Sequence, residues 1–202
     1  MKTLLPGFFP ATAMPDPDWW EAVWPDPAQV LSSLGVEPDM EVVDLCCGDG
    51  LFTAPLARMT RHVIAIDLDP AMLDKARARL LVAGITNCGF IASDAYNVAE
   101  IVCERVDFVL LANTFHGVPD KKRLSQAVAA ILKQGGHFAV INWHRRPREE
   151  TQVLGQPRGP KTEMRMEPDD VAAPVEQSGL RFERVVELPP YHYGAIFARV
   201  PK

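Results

Sequence analysis

Between residues 42 and 143, short apolar runs alternate with stretches whose apolar residues recur every three or four positions. Val42-Val43-Asp44-Leu45 predicts a strand, Gly48 and Gly50 a turn, and 51–59 a helix. A second strand follows at 63–67. Asp69 with Pro70 behind it forms a helix start, because the carboxylate can accept from a free first-turn amide and proline presets φ. Met72, Leu73, Ala76 and Leu80 then share one helical face. Residues 89–92 and 106–112 predict the third and fourth strands. Asp120 caps a helix that turns Leu124, Val128, Ile131 and Leu132 inward. Gly135-Gly136 is expected to stop it, and 137–143 to form the fifth strand. A polar loop runs on to about residue 166. A helix is expected over 168–178 despite Pro174, then strands near 181–188 and 193–200 joined by Pro189-Pro190.

Strands alternating with helices imply βαβ units and a parallel sheet. The fourth and fifth strands are almost continuously apolar, as expected when helices cover both faces. The last two strands have no helix between them and should be antiparallel. Residues 1–34 predict an N-terminal arm or lid ahead of a domain over 35–202. The arm holds Trp19, Trp20 and Trp24 among Pro15, Pro17, Pro25 and Pro27, with Asp18 expected to cap a short helix. It has too little apolar area to fold alone, so its tryptophans must bury against the domain or cover something.

The 202 residues suffice for one domain, and 48% hydrophobic content excludes a mainly disordered chain. A net charge of −5 argues against a nucleic-acid partner. No run approaches the roughly 18 apolar residues of a membrane span. Cys46, Cys47, Cys88 and Cys103 lack disulfide-framework or metal-site spacing, so reduced thiols, no metal and a cytoplasmic protein are expected. Lys2, Leu4, Leu5, Phe8, Phe9 and Ala11-Thr12-Ala13 loosely imitate a signal peptide, but Pro6, Gly7 and Pro10 break the apolar stretch.

The chemistry concentrates where the first strand ends. Glycines after Leu45 let the backbone approach a ligand that a Cβ would exclude. Asp67 ends the second strand and can take both hydroxyls of a ribose. The nucleotide could belong to a nicotinamide cofactor or to S-adenosylmethionine. The Gly-x-Gly-x-x-Gly fingerprint fails here, with Cys46 at its first glycine place and Thr53 at its third. Asp44 would repel a pyrophosphate and suits a cationic amino group, which favours S-adenosylmethionine.

These segments resemble the class I S-adenosylmethionine-dependent methyltransferases. Asp44-Leu45-Cys46-Cys47-Gly48-Asp49-Gly50 is similar to their first motif, and Ile66-Asp67-Leu68-Asp69-Pro70-Ala71-Met72-Leu73 to their second. Ser93-Asp94-Ala95, Leu111-Ala112-Asn113 and Leu132-Lys133-Gln134-Gly135-Gly136-His137-Phe138 are similar to the segments after strand three, after strand four and into strand five. The small-molecule branch containing the ubiquinone and menaquinone enzymes is nearest. Cys46 departs from the family, which usually has glycine there.

The resemblance implies a Rossmann-like sheet of seven strands ordered 3-2-1-4-5-7-6, the last antiparallel, with helices on both faces. It assigns Asp44 and the backbone of Cys46, Cys47, Gly48 and Gly50 to the methionine part of the cofactor. Asp67 would hold the ribose, Leu68 and Met72 the adenine, Asp94 and Ala95 its amino edge, and Asn113 the methionine carboxylate or amine. The implied product is S-adenosylhomocysteine. A nicotinamide-dependent oxidoreductase and a non-catalytic S-adenosylmethionine-binding protein are the competing readings.

The substrate should be a small molecule entering at the carboxyl ends of the strands. His116 is the candidate general base, since an imidazole titrates near neutrality. Trp143 could wall the pocket, and Trp19 and Trp20 could close over it, where an aromatic face attracts a sulfonium. Arg165 and Tyr193 are further substrate-site candidates. The loop 144–165 carries six Lys/Arg against three Glu and could draw an anion to the rim, or could be a solvated loop.

Overall fold

Asp69 and Asp120 start helices as their positions predict, each accepting a hydrogen bond from a first-turn amide (Ala71 and Arg123, 2.9 Å). The computed structural model describes residues 5–200, so Lys2 and Leu4 of the N-terminal apolar stretch lie outside the described residues. In chain order the helices and strands are α1 (Pro17–Val23), α2 (Pro27–Leu34), β1 (Glu41–Leu45), α3 (Thr53–Met59), β2 (His62–Asp67), α4 (Pro70–Val82) and β3 (Cys88–Ala92). Then come α5 (Val98–Ile101), β4 (Val106–Ala112), α6 (Lys121–Ile131), β5 (Leu132–Trp143), β6 (Gln152–Val153), β7 (Gln156–Pro157), α7 (Pro168–Glu176), β8 (Leu180–Leu188) and β9 (His192–Arg199).

The main sheet runs β3-β2-β1-β4-β5-β9-β8, the expected order once β8 and β9 are read as the sixth and seventh strands. β9 is antiparallel to both β5 and β8, and the pairs from β3 across to β5 are parallel. Alternate strand residues feed two cores. Val43, Val109, Leu111 and Val140 pack with α6 and α7 on one face, and Val42, Phe108, Leu110 and Ile141 pack with α2 and α3 on the other.

Four details differ from the sequence expectations. Asp16, not Asp18, sits at the N-cap of α1, because Pro17 takes the first helical position. Residues 27–34 form a second arm helix, capped by the Asp26 carboxylate at Gln29 N (3.0 Å) and closed by Gly35. α6 stops at Ile131 before the glycines, because Leu132 already pairs with Val106 in the sheet. Gly136 is instead needed inside β5, where a Cβ would stand 3.0 Å from the Asp107 carbonyl oxygen. The polar loop after Trp143 also contains a hairpin, β6–β7, turning at Leu154 and Gly155.

The arm is not a loose tail. Trp19, Trp20 and Trp24 are buried and join the core beside β1, with edge-to-face contacts from Trp19 through Trp20 and Trp24 to Phe52. Aromatic pairs of this geometry add about 0.5–1.5 kcal/mol beyond area burial. Among the described residues no helix is long and apolar enough to cross a membrane.

Candidate active site

A cavity of about 580 Å³ opens at the carboxyl ends of the parallel strands. β1 contributes Asp44, β2 Asp67, the turn after β4 Asn113, and β5 Trp143. Residues 7–9 and 11–15 of the arm, with Trp19 and Trp20, line it from the other side. Arg148, Arg158 and Lys161 of the loop after β5 reach it as well.

Asp44 is 2% exposed, and its Oδ2 accepts a hydrogen bond from Thr53 Oγ1 at 2.6 Å. Burial pushes its carboxyl up to about 7, against the opposing effect of the Thr53 hydroxyl, and the nearby Asp67 raises it further. The site therefore holds an acid that a bound cation would ionise. Thr53 was not picked out from the sequence. A hydroxyl in the first turn of the helix after a buried strand-end acid is the signal that could have found it.

Asp67 braces the turn. Its Oδ2 accepts from Gly48 N at 2.8 Å and its Oδ1 from Asp69 N at 2.9 Å. Burial raises its carboxyl, and those two amides oppose the rise. Each carboxylate oxygen keeps acceptor capacity for a ligand hydroxyl. The turn itself is left-handed at Cys46 (φ +60°), Gly48 (φ +57°) and Gly50 (φ +84°). A non-glycine residue there is strained, which explains why glycine is the residue the geometry asks for at position 46. Gly50 does not line the cavity. It lets the turn pack on α4, where a Cβ would stand 2.9 Å from that of Ala76.

Asn113, like Cys46 and Ala11, is a left-handed non-glycine residue at the cavity, with φ +56°. Both polar atoms of its side-chain amide are buried and have no hydrogen-bond partner. A buried unpaired amide costs about 1–3 kcal/mol, so a ligand that satisfies it regains that energy. Leu68, Met72, Asp94 and Ala95 also line the cavity, with Ile66. Asp94 Oδ1 accepts from Tyr96 N at 2.9 Å, leaving Oδ2 facing Gly7 of the arm.

His116 is buried beneath the arm, with Nε2 3.2 Å from the Ala11 carbonyl oxygen and Nδ1 unpartnered. Burial lowers its affinity for a proton, so the imidazole is neutral at neutral pH. Nε2 donates to Ala11, which leaves Nδ1 as the acceptor. Gly117 sits close against the arm, since a Cβ there would fall 2.1 Å from the Pro10 carbonyl oxygen. Neither Gly117 nor Met14, whose sulfur lies over Gly48, was singled out from the sequence.

Arg165 and Tyr193 do not line the cavity, contrary to expectation. Arg165 is 1% exposed and spends its donors on the Pro160, Arg146 and Arg158 carbonyls and the Thr151 hydroxyl. Tyr193 is buried with its hydroxyl donating to the Met166 carbonyl at 2.8 Å. Both hold the loop after β5 in place.

The donor set fits S-adenosylmethionine: an acid for an amino group, an unpaired amide for its carboxylate or amine, and an acid at β2 for a ribose. Comparison with known proteins agrees. A family model described as a methyltransferase domain matches residues 42–136. A ubiquinone biosynthesis O-methyltransferase of Xanthomonas axonopodis pv. citri is 30% identical over 141 residues, 64% of this chain and 57% of that protein. A 23S rRNA (uracil(1939)-C(5))-methyltransferase of Aeromonas salmonicida is 43% identical over 67 residues, 33% of this chain and 15% of that protein. The chain thus spans just over half the length of the first of these, and far less of the second. The crystal structure of a SAM-dependent methyltransferase from Aquifex aeolicus superposes with TM-score 0.77 at 26% identity, covering 92% of this chain and 94% of that one. The motifs, the strand order and these relatives agree: residues 42–136 match a methyltransferase domain, and the chain has the fold of the class I S-adenosylmethionine-dependent methyltransferases.

Proposed function

We propose that this protein transfers the methyl group of S-adenosylmethionine to a small-molecule acceptor in the cytoplasm. The observation that carries the reading is the pairing, in one cavity, of a buried strand-end acid and an amide with no protein partner. Asp44 would pair with the amino group of the bound methionine portion, and Asn113 would bond its carboxylate or amine. Asp67 would accept from the ribose hydroxyls, Asp94 from the adenine amino group, and Leu68 and Met72 would pack on the ring.

Bound S-adenosylmethionine would supply a methyl group activated by its sulfonium, with a neutral thioether as the leaving group. The protein's own contribution is then position and dryness. Holding acceptor and donor in line is worth about 7–11 kcal/mol of barrier. Residues 7–15 act in this reading as a lid that keeps water from the site. His116, neutral and with Nδ1 unpaired, would take the proton of an acceptor that arrives protonated.

The test is titration of the full chain with S-adenosylhomocysteine. Asp67→Ala should weaken binding more than tenfold. Affinity within twofold of the parent would remove the ribose role from Asp67.

A further inference from the structure

The loop after β5 presents Arg148, Arg158 and Lys161 to the cavity, and of these three Lys161 has a carboxylate within 4 Å, that of Glu163 at 3.9 Å. The arginine ion pairs of the described residues belong to Arg61, Arg77, Arg79, Arg145 and Arg181. Arg148 and Arg158 line the cavity and have none. The Arg158 Nε is buried and makes no hydrogen bond. Its guanidinium carbon lies 5.3 Å from the centroid of the Trp19 ring, so the fork is held against an aromatic wall of the same cavity. Arg148 uses its Nε on the Gly159 carbonyl at 3.1 Å, which leaves both terminal nitrogens for another partner. Glu149, Glu150 and Glu163 beside them are exposed, and none of the three lines the cavity.

This arrangement is built, not incidental. The buried Arg165 ties four points of the loop together, including the carbonyl of Arg158 itself. Gly159 lies flat on Trp143, where a Cβ would meet the indole at 2.9 Å. An ordered loop that holds two unpaired arginine forks beside three tryptophans in a cavity presents one kind of surface. It matches a flat apolar body that ends in an oxyanion, because a guanidinium fork bonds a carboxylate or phosphoryl group through two parallel N–H donors.

We propose that the methyl acceptor is a small, flat, apolar molecule bearing an oxyanion, held at that group by Arg148 and Arg158 with its body against Trp19, Trp20 and Trp143. The claim rests on the methyltransferase reading for the word acceptor, but the anion site itself does not. Arg165 is a positioning residue in it.

The experiment is calorimetric titration of the full chain with benzoate, phenyl phosphate and neutral benzamide, with and without saturating S-adenosylhomocysteine. At least one anion should bind tenfold or more tighter than benzamide, and whichever anion is tighter identifies the oxyanion. Arg148→Gln and Arg158→Gln should each reduce that preference at least fivefold, with circular dichroism and S-adenosylhomocysteine affinity confirming that each variant is folded. A preference below twofold overturns the proposal, as does no saturable binding of any of the three, or a preference that survives both substitutions. Failure of S-adenosylhomocysteine to bind while the anion preference persists would instead overturn the methyltransferase reading and leave the oxyanion site standing.

Discussion

Asp44 gives the ligand-free protein a weakness that ligand binding removes. Its folded value, about 7, lies above its ordinary 3.8, so the folded state binds the proton more tightly than the unfolded chain. The sign follows from linkage: stability is greatest below 3.8 and is lost as the pH rises through about 7. Asp44→Asn should therefore stabilise the empty protein at pH 8 by about 1–3 kcal/mol. The same change should weaken S-adenosylhomocysteine about tenfold or more, because a charge-assisted hydrogen bond worth about 1.5–3 kcal/mol goes. Thermal melts and calorimetry at that pH read both effects. Cys46→Gly offers the opposite test. With φ +60° at this position, glycine should add about 0.5–1 kcal/mol of stability and leave cofactor affinity within twofold. A melting temperature lowered by Cys46→Gly would contradict the strain argument.

The arm and the loop after β5 are the elements that give the site its second wall. Gly117 is the contact through which the arm can be tested without cutting the chain. A methyl group there meets the Pro10 carbonyl and the Thr12 side chain, so Gly117→Ala should lift the arm from the domain. Its expected signature is faster proteolysis before residue 16 and a several-fold loss of S-adenosylhomocysteine affinity, while β1 to β5 keep their melting transition. Unchanged proteolysis and affinity would remove the lid role. These two elements were also the least legible in the sequence. The strands and their acids follow local rules: alternation, helix caps, and a turn that needs left-handed residues. Thus Asp44 and Asp67 could be read from their places at strand ends, whereas Asp94 and Asn113 came only from the resemblance to a family. Arm residues 7–15 reach the cavity through long-range packing that no periodicity encodes. Arg165 and Tyr193 were misplaced for the same reason, since charge and aromaticity suggested a ligand where the partners are backbone carbonyls of a distant segment.

At the scale of the molecule, two titrations should appear in separate kinetic quantities. Cofactor capture needs Asp44 ionised, so affinity for S-adenosylmethionine should fall about tenfold per pH unit below about 7. Once the ligand ammonium is bound, Asp44 stays ionised and its limb should vanish from kcat. His116, held below its ordinary 6.5, should then set the acid limb of kcat. His116→Gln should lower kcat about 100-fold or more for an acceptor that arrives protonated, with cofactor affinity nearly unchanged. The sheet order and both cores place these groups on one rim, and the central claim is that this rim recognises an amino acid joined to a nucleoside. Calorimetric titration of the full chain at pH 8 tests it most directly, with S-adenosylhomocysteine in one cell and NADH in another. The account predicts saturable one-to-one binding of S-adenosylhomocysteine, weakened about tenfold or more in Asp44→Asn, and no saturable heat with NADH. Binding of NADH with none of S-adenosylhomocysteine would contradict it.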